Sequence, residues 1–289
     1  MATKNVSRFL FFCYPDIRRS FKRRNDVSDE HRLFGLVGYP ITFVRSPGIL
    51  NAYLAQHGLP GRMVPFGIRP EALETALAGL RHLENLRGFF VTMPFKERIL
   101  PLLDNLSETA RISGAVNVVR RTPDGKFSGH QLDGAGFVGA MNEAGVRIAG
   151  ASAYVAGAGG VSAGICCALA EAGIGRIALV NRNRDRAEKL ADRLRGAFPK
   201  TVFCATDSRP GEEIDIVINA TSLGMSPDDP LPVDLAGTSR GIFVGDVVNV
   251  PHMTPLLETA EARDCRTQHG KAMFGPQIEL ALRFYEDGL

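Results

Sequence analysis

Apolar residues along this chain come in short runs cut by glycine, proline and charged residues, and the spacing inside each run predicts an element. Residues 33–38 form an apolar run ending at Gly38-Tyr39-Pro40, the pattern of a buried strand entering a loop. Ser46 then stands as a helix N-cap with Pro47 at the first helical position, and Ile49, Leu50, Tyr53 and Leu54 repeat at helical spacing until Gly58. Strand patterns follow at 63–68 and at 88–93, the second broken by Pro94, with a helix at 70–80 between them. After a helix near Glu108, strands at 115–120 and 127–132 flank the turn sequence Thr122-Pro123-Asp124-Gly125-Lys126. That hairpin makes the first sheet mixed.

Beyond residue 150 the pattern becomes a regular alternation. Strands are predicted at 153–156, 176–180, 214–219 and 242–246, with one helix running to about Ala172 and another at 184–194. Such repetition of strand and helix forces a parallel sheet. A last helix, at 273–285, carries Ile278, Leu280, Leu282 and Phe284 and is assigned to the first sheet. The fold class is therefore α/β in two units: a mixed-sheet substrate unit of residues 32–132 with 270–289, and a Rossmann-type doubly wound unit of residues 133–269. The seam falls at Asp133-Gly134, and residues 1–31 read as a loosely ordered extension or a start codon placed too early.

The length of 289 residues and 45% hydrophobic content suffice for two modest cores. With 22% charged residues and no long uninterrupted apolar run, the chain is neither disordered nor membrane-spanning in pattern. The net charge of +3 sits in residues 1–31, where seven Lys or Arg meet four Asp or Glu, leaving the rest neutral. A neutral body argues for small-molecule partners over nucleic acid, and no membrane partner is expected. Five cysteines (Cys13, Cys166, Cys167, Cys204, Cys265) lack paired C-x-x-C spacing, so no metal site is expected, and reduced thiols in the cytoplasm are. Phe9-Leu10-Phe11-Phe12 is too short for a signal-peptide core.

Candidate chemistry begins with Gly157-Ala158-Gly159-Gly160-Val161-Ser162, directly after a predicted strand and before a helix. The first glycine permits a tight turn, the second lets backbone approach a pyrophosphate, and the following helix N-terminus offers unpaired amides. Ser162 replaces the usual third glycine or alanine. An acid after the second strand would bind the adenosine ribose, but here the residues are Asn181-Arg182-Asn183-Arg184-Asp185-Arg186. Guanidinium groups clamp phosphate and stack on adenine, so NADP(H) is the preferred cofactor, with NAD(H) left open by Asp185.

Several further segments resemble the shikimate dehydrogenase family: Val91-Thr92-Met93-Pro94-Phe95-Lys96-Glu97, Gly114-Ala115-Val116-Asn117, Asp133-Gly134, Asn181-Arg182, Ile218-Asn219-Ala220-Thr221-Ser222-Leu223-Gly224-Met225, Thr254-Pro255-Leu256-Leu257, and Gly270 with Gln277. The resemblance covers nearly everything after residue 32 and implies reversible hydride transfer between NADP(H) and shikimate or a related hydroxylated ring acid, within aromatic and chorismate biosynthesis. It implies Lys96 and Asp133 as the catalytic acid–base pair, and Ser46, Thr92, Asn117, Asn249 and Gln277 against the substrate. It places Asn219, Ala220, Thr221, Ser222, Val247 and Gly270 near the nicotinamide half, with Gly157, Ala158, Gly159, Gly160, Val161, Asn181, Arg182, Asn183 and Arg186 binding the remainder. A monomer or homodimer is implied.

The departures lie on the substrate side. Where the family has Ser-x-Ser-Pro to hold a carboxylate, this chain has Val44-Arg45-Ser46-Pro47; Phe90 stands where Asn is common, Asn249 where Tyr is expected, and Gln131-Leu132 replace Asn-Thr. Each hydrogen bond to a charged group contributes about 1.5–3 kcal/mol, so a less polar pocket, a weaker grip on shikimate and a related substrate such as quinate are expected. Two rival readings meet opposing residues. Ala220-Thr221-Ser222-Leu223-Gly224 approximates a hydrolase nucleophile elbow, but Met225-Ser226-Pro227 continues as loop rather than helix. A dinucleotide-binding regulator without efficient catalysis is opposed by Lys96, Asp133, Thr92 and Asn117 standing together in one chain.

Overall fold

A computed structural model describes residues 31–42 and 44–287. The expectations for residues 1–30, including Cys13 and the Phe9–Phe12 run, lie outside the described residues. The described chain forms two compact units, one of residues 31–132 with 278–287 and one of residues 133–277. Residues 270–277 thus pack with the second unit, whereas their helical pattern alone assigns them to the first.

The first unit holds β1 (Leu33–Gly38), α1 (Ser46–His57), β2 (Arg62–Gly67), α2 (Leu73–Leu80), β3 (Leu86–Val91), β4 (Asn105–Leu106), α3 (Glu108–Ser113), β5 (Val118–Arg121) and β6 (Phe127–His130). Its sheet runs β2-β1-β3-β5-β6-β4. Strand β1 pairs parallel with β2 and β3, while β5 is antiparallel to both β3 and β6. The hairpin at 122–126 therefore does mix the sheet. Five of the six residues of β1 are buried, because both faces are covered. One face packs Val37, Phe89 and Val91 against Leu73 and Leu77 of α2. The other meets the C-terminal helix, where Phe34 lies 5.3 Å from the Tyr285 ring.

Ser46 does not cap α1. The N-cap is Arg45, already in helical backbone conformation, so Ser46 and Pro47 become the first helical residues and no side chain caps the end. Proline is tolerated there because the first amides have no intrahelical acceptor to lose.

The second unit holds α4 (Asp133–Glu143), β7 (Ser152–Ala156), α5 (Gly160–Glu171), β8 (Arg176–Val180), α6 (Arg184–Ala197), β9 (Val202–Ala205), β10 (Ile216–Asn219), β11 (Phe243–Asp246), α7 (Pro255–Glu261), β12 (Arg266–Gln268) and the start of α8 (Phe274–Asp287). All its strand pairs are parallel, in the order β12-β11-β10-β7-β8-β9. This is a doubly wound Rossmann sheet whose order reverses between β7 and β10, and ligands bind outside the carboxyl ends of strands at such a switch point. Hydrophobic periodicity does not reveal β9, β12 or α7. The two strands are short sheet edges, and β12 reads Arg-Thr-Gln, whose one buried residue, Gln268, is polar.

Helix α4 starts at Asp133, four residues before its apolar spacing begins, because Gly134 and Gly136 are buried against neighbours. A Cβ on Gly134 would fall on the carbonyl of Gly164 in α5, so the two helices touch backbone to backbone. Cys166, Cys167, Cys204 and Cys265 are free thiols, and burial pushes Cys166 up to about 12, where it is chemically inert. No helix among the described residues is long and apolar enough to cross a membrane.

Two outcomes follow from this packing. Gly134→Ala should destabilise the protein by about 1–3 kcal/mol or more, since neither backbone can move aside; chemical denaturation measures it, and an unchanged midpoint contradicts the contact. At the end of β6, the half-buried His130 packs edge-on to Phe284 at 5.4 Å. Burial pushes its pKa down from 6.5 to about 4, the contact to the Gln131 carbonyl opposing only weakly. The unfolded chain takes up this proton first, so stability present above pH 6.5 is lost as pH falls toward about 4. His130→Gln should flatten the stability curve in that window, and a curve of unchanged slope refutes the assignment.

Candidate functional site

In the first unit the candidate residues gather where β3 and β5 lie side by side. Thr92 follows β3 directly, its amide donating to the Val37 carbonyl at 2.9 Å. This approach requires glycine at the end of β1, because a Cβ on Gly38 would overlap the Thr92 methyl. The loop from Thr92 to Lys96 is then fastened along its length: Tyr39 N–H donates to the Met93 carbonyl, Phe95 N–H to that of Thr92, and Val116 N–H to that of Lys96 at 2.8 Å. Phe95 is fully buried, leaving Lys96 half-buried beside it. Asn117 reaches the same place from β5, its carbonyl accepting from Val91 N–H at 2.7 Å. Its side chain is 1% exposed and its Oδ1 accepts from Leu132 N–H at 2.6 Å. Thr92, Lys96 and Asn117 are therefore brought together by strand pairing. Ser46 and Val44 are half-buried at the start of α1. Phe90, expected to make a pocket apolar, instead packs edge-on to Tyr285 at 6.2 Å under the C-terminal helix.

In the second unit Gly157 takes φ of +113°, and a Cβ there would stand 2.8 Å from the Ala220 carbonyl oxygen. The turn after β7 and the loop after β10 thus meet at the switch point. Ser162 does more than fit in place of a third glycine: fully buried, its hydroxyl donates to the Gly157 carbonyl at 2.7 Å and closes the turn. Gly159 is the N-cap of α5, and apart from its chain neighbours no described residue lies within 4 Å of where its Cβ would be. That open space beside the first amides of α5, at Gly160 and Val161, fits an anion such as a pyrophosphate. Ala158 is buried beneath it.

After β8, Arg182 and Arg186 are exposed, while Arg184 is bound to Glu188 and Asp207. Asn181 donates to the Asn183 carbonyl at 2.8 Å. Asn183 itself is the N-cap of α6, its Oδ1 accepting from Arg186 N–H at 3.2 Å, so its side chain shapes the helix end.

Asn219 likewise turns inward. Fully buried, it donates from Nδ2 to the Leu223 carbonyl and to Asp246 Oδ1, and accepts on Oδ1 from Thr221 N–H and Thr221 Oγ1. Its four side-chain hydrogen-bonding positions are filled, so the side chain organises the loop that carries Ala220, Thr221 and Ser222. Its partner Asp246 went unnoticed in the sequence, where a terminal strand acid gives no signal. Burial pushes this carboxyl upward, against hydrogen bonds from Val248, Asn219 and Thr254 that pull it down. Val247 is half-buried beyond it. Gly270 is needed for close approach, since a Cβ would lie 2.6 Å from the Val247 carbonyl and 2.5 Å from that of Val248. Asn249 is half-buried with its Oδ1 buried and without a hydrogen-bond partner among the described residues. Asp133, 5% exposed at the start of α4, accepts from Gln277 Nε2 at 2.8 Å.

Comparison with known proteins gives this geometry its relatives. A family model described as the shikimate dehydrogenase substrate binding domain matches residues 36–119, and one described as shikimate / quinate 5-dehydrogenase matches residues 140–225. A shikimate dehydrogenase (NADP(+)) of Rubrobacter xylanophilus is 42% identical over 250 residues, covering 86% of this chain and 88% of that protein. Shikimate 5-dehydrogenase from Listeria monocytogenes, solved with shikimate and NAD, superposes with a TM-score of 0.80 at 34% identity, covering 88% of this chain and 91% of the other. The ligand-free 5-ketofructose reductase of Gluconobacter sp. gives 0.81 at 30% identity, covering 88% and 92%. With both units matched by their own models and 42% identity along most of its length, the chain belongs to the shikimate dehydrogenase family.

Proposed function

We propose that this chain catalyses reversible hydride transfer between NADP(H) and a hydroxylated ring acid, 3-dehydroshikimate/shikimate or a relative. The observation that carries it is the switch-point turn of the Rossmann sheet, with Gly157 at φ +113° and open space at Gly159 before the α5 amides. Backbone of Gly157, Ala158, Gly159, Gly160 and Val161 would hold the pyrophosphate, Arg182 and Arg186 the 2′-phosphate, and the segments of Ala220, Thr221, Ser222, Val247 and Gly270 the nicotinamide half. When bound, the nicotinamide supplies or accepts the hydride.

The chain's own residues handle the proton. Lys96 Nζ takes the hydroxyl proton as the alcohol is oxidised and returns it on reduction, acting as general base and acid. Asp133, oriented by Gln277 at 2.8 Å, keeps the amine and hydroxyl in register. Thr92, Asn117, Ser46, Asn249 and Gln277 bind the ring substituents. The Rubrobacter relative, named for NADP(+), supports the cofactor choice, and the Listeria neighbour, solved with NAD, keeps NAD(H) as the second cofactor. We place the enzyme in the cytoplasm as a monomer or homodimer, acting in aromatic biosynthesis.

A second reading of substrate, quinate or another more hydroxylated ring, is favoured by Asn249. Its buried Oδ1 is an acceptor awaiting a donor, which a hydroxyl provides and a carboxylate lacks.

Following nicotinamide absorbance with shikimate and quinate, each with NADP and NAD, tests the assignment; no turnover with any ring acid overturns it. Lys96→Ala should lower kcat by about 100-fold or more while NADPH fluorescence titrates normally; a regulator without catalysis would show no activity to lose. Arg182→Ala should raise the KM for NADP by about tenfold or more, as expected for a lost charged hydrogen bond, and leave that for NAD unchanged. Equal effects on both cofactors would place the 2′-phosphate elsewhere.

A further inference from the structure

One buried carboxylate, one strand from the switch point, has no part in the proton chemistry above. Asp246 ends β11, is 0% exposed, and stands in register with Asn219 at the end of neighbouring β10. Its Oδ1 accepts from Asn219 Nδ2 at 3.0 Å and from Val248 N–H at 2.9 Å, and its Oδ2 from Thr254 Oγ1 at 2.8 Å. Each donor leads into a different segment. Asn219 holds Thr221 by its N–H and hydroxyl, at 3.0 and 2.7 Å, and Thr221 Oγ1 in turn accepts from Leu223 N–H at 3.1 Å. The Ala220 carbonyl in this loop abuts Gly157. Val248 belongs to the segment whose carbonyls press on Gly270. Thr254 caps α7, its Oγ1 accepting from Leu257 N–H at 3.3 Å.

A farther latch closes the same segment: His269 Nδ1 donates to the His252 carbonyl at 2.7 Å, and the two imidazoles stack at 3.9 Å. The loop after β11 is thereby held at its start by Asp246, at its end by Thr254, and on its flank by His269. The end of β10 is tied to β11 by the Asn219–Asp246 side-chain bond and by Val247 N–H donating to the Asn219 carbonyl at 3.0 Å.

We propose that Asp246 is a positioning residue for the cofactor: through Asn219 and Val248 it fixes the loops at 220–223 and 247–249 in the arrangement that receives the nicotinamide half. The proposal rests on the dinucleotide reading of the switch-point crevice. A carboxylate suits the place because it offers acceptors only, and three donors from three segments converge on it. An amide in its place brings two donors to the one oxygen it keeps and turns an N–H2 toward the Thr254 hydroxyl, which must then surrender its proton's partner.

Asp246→Asn keeps the volume and two of the hydrogen bonds, so it is the informative variant, and Asp246→Ala supplements it. The control is Thr201→Val, which removes a buried hydrogen bond to the Ile174 carbonyl at 2.9 Å in the same unit. Asp246→Asn should weaken NADPH binding, read by fluorescence titration, and lower kcat, each by about tenfold or more, while changing the substrate KM by less than about twofold. Its thermal midpoint should fall no further than that of Thr201→Val, which should leave binding and kcat alone. Asp246→Ala should exceed Asp246→Asn in both readouts. If Asp246→Asn lowers the midpoint but leaves the NADPH dissociation constant, kcat and the deuterium isotope effect unchanged, the residue is merely structural and the proposal is overturned. Failure of the wild-type chain to bind NADPH overturns the dinucleotide reading itself. Binding without turnover on ring acids leaves that reading and this test intact and removes only the assigned substrate.

Discussion

The hydrogen bond between the side chains of Asn219 and Asp246 is the constraint on which the carboxyl edge of the Rossmann sheet depends. Parallel strands end with polar backbone groups that have no further ladder partner, and beside the switch point between β7 and β10 the loops after β10 and β11 leave neighbouring strand ends. Something must hold them at a fixed separation, or the crevice between them has no defined width. Here the register of β10 and β11 sets the two side chains opposite each other, and their remaining valences reach forward into both loops. Since both groups are fully buried, each bond left unmade would cost more than it contributes when formed. That asymmetry makes the arrangement cooperative.

The first unit solves the same problem with backbone instead of side chains. The loop from Thr92 to Lys96 is pinned by carbonyl and amide groups of Val37, Tyr39 and Val116, with Phe95 sunk in the core as its anchor. Lys96 thus projects from a segment with little freedom, as the acid–base role proposed for it requires, because a misplaced proton acceptor forfeits most of its rate contribution. Gly38 plays the part that Gly157 and Gly270 play in the other unit, allowing one strand end to touch the next. Of the departures from the family pattern, Val44 falls outside the loop from Thr92 to Lys96, and Asn249 ends the segment held through Val248 by Asp246.

Much of this was legible in the chain. The strand, glycine turn and helix around residues 154–171, the arginines after β8 and the helices of both units other than α7 declare themselves locally, because hydrophobic period, turn residues and caps depend on near neighbours. Family resemblance then singled out Lys96, Asp133 and Asn117, which composition and spacing leave indistinguishable from a helix start, a cap and a strand end.

What the chain withheld was everything set by partners distant in sequence. Strands β9 and β12 sit at sheet edges where no two-faced burial imprints a pattern. Phe90 faces Tyr285, and Asn183 and Asn219 spend their polar atoms on a helix end and a loop. The sequence by itself determined most of the order of elements, the glycine turn after β7 and the kinds of residue available for chemistry, since these follow from short-range sterics and periodicity. Only the tertiary structure decided which polar groups are consumed internally and which remain for a ligand. That allocation depends on strand register, and register places Asp246 beside Asn219 although 27 residues separate them.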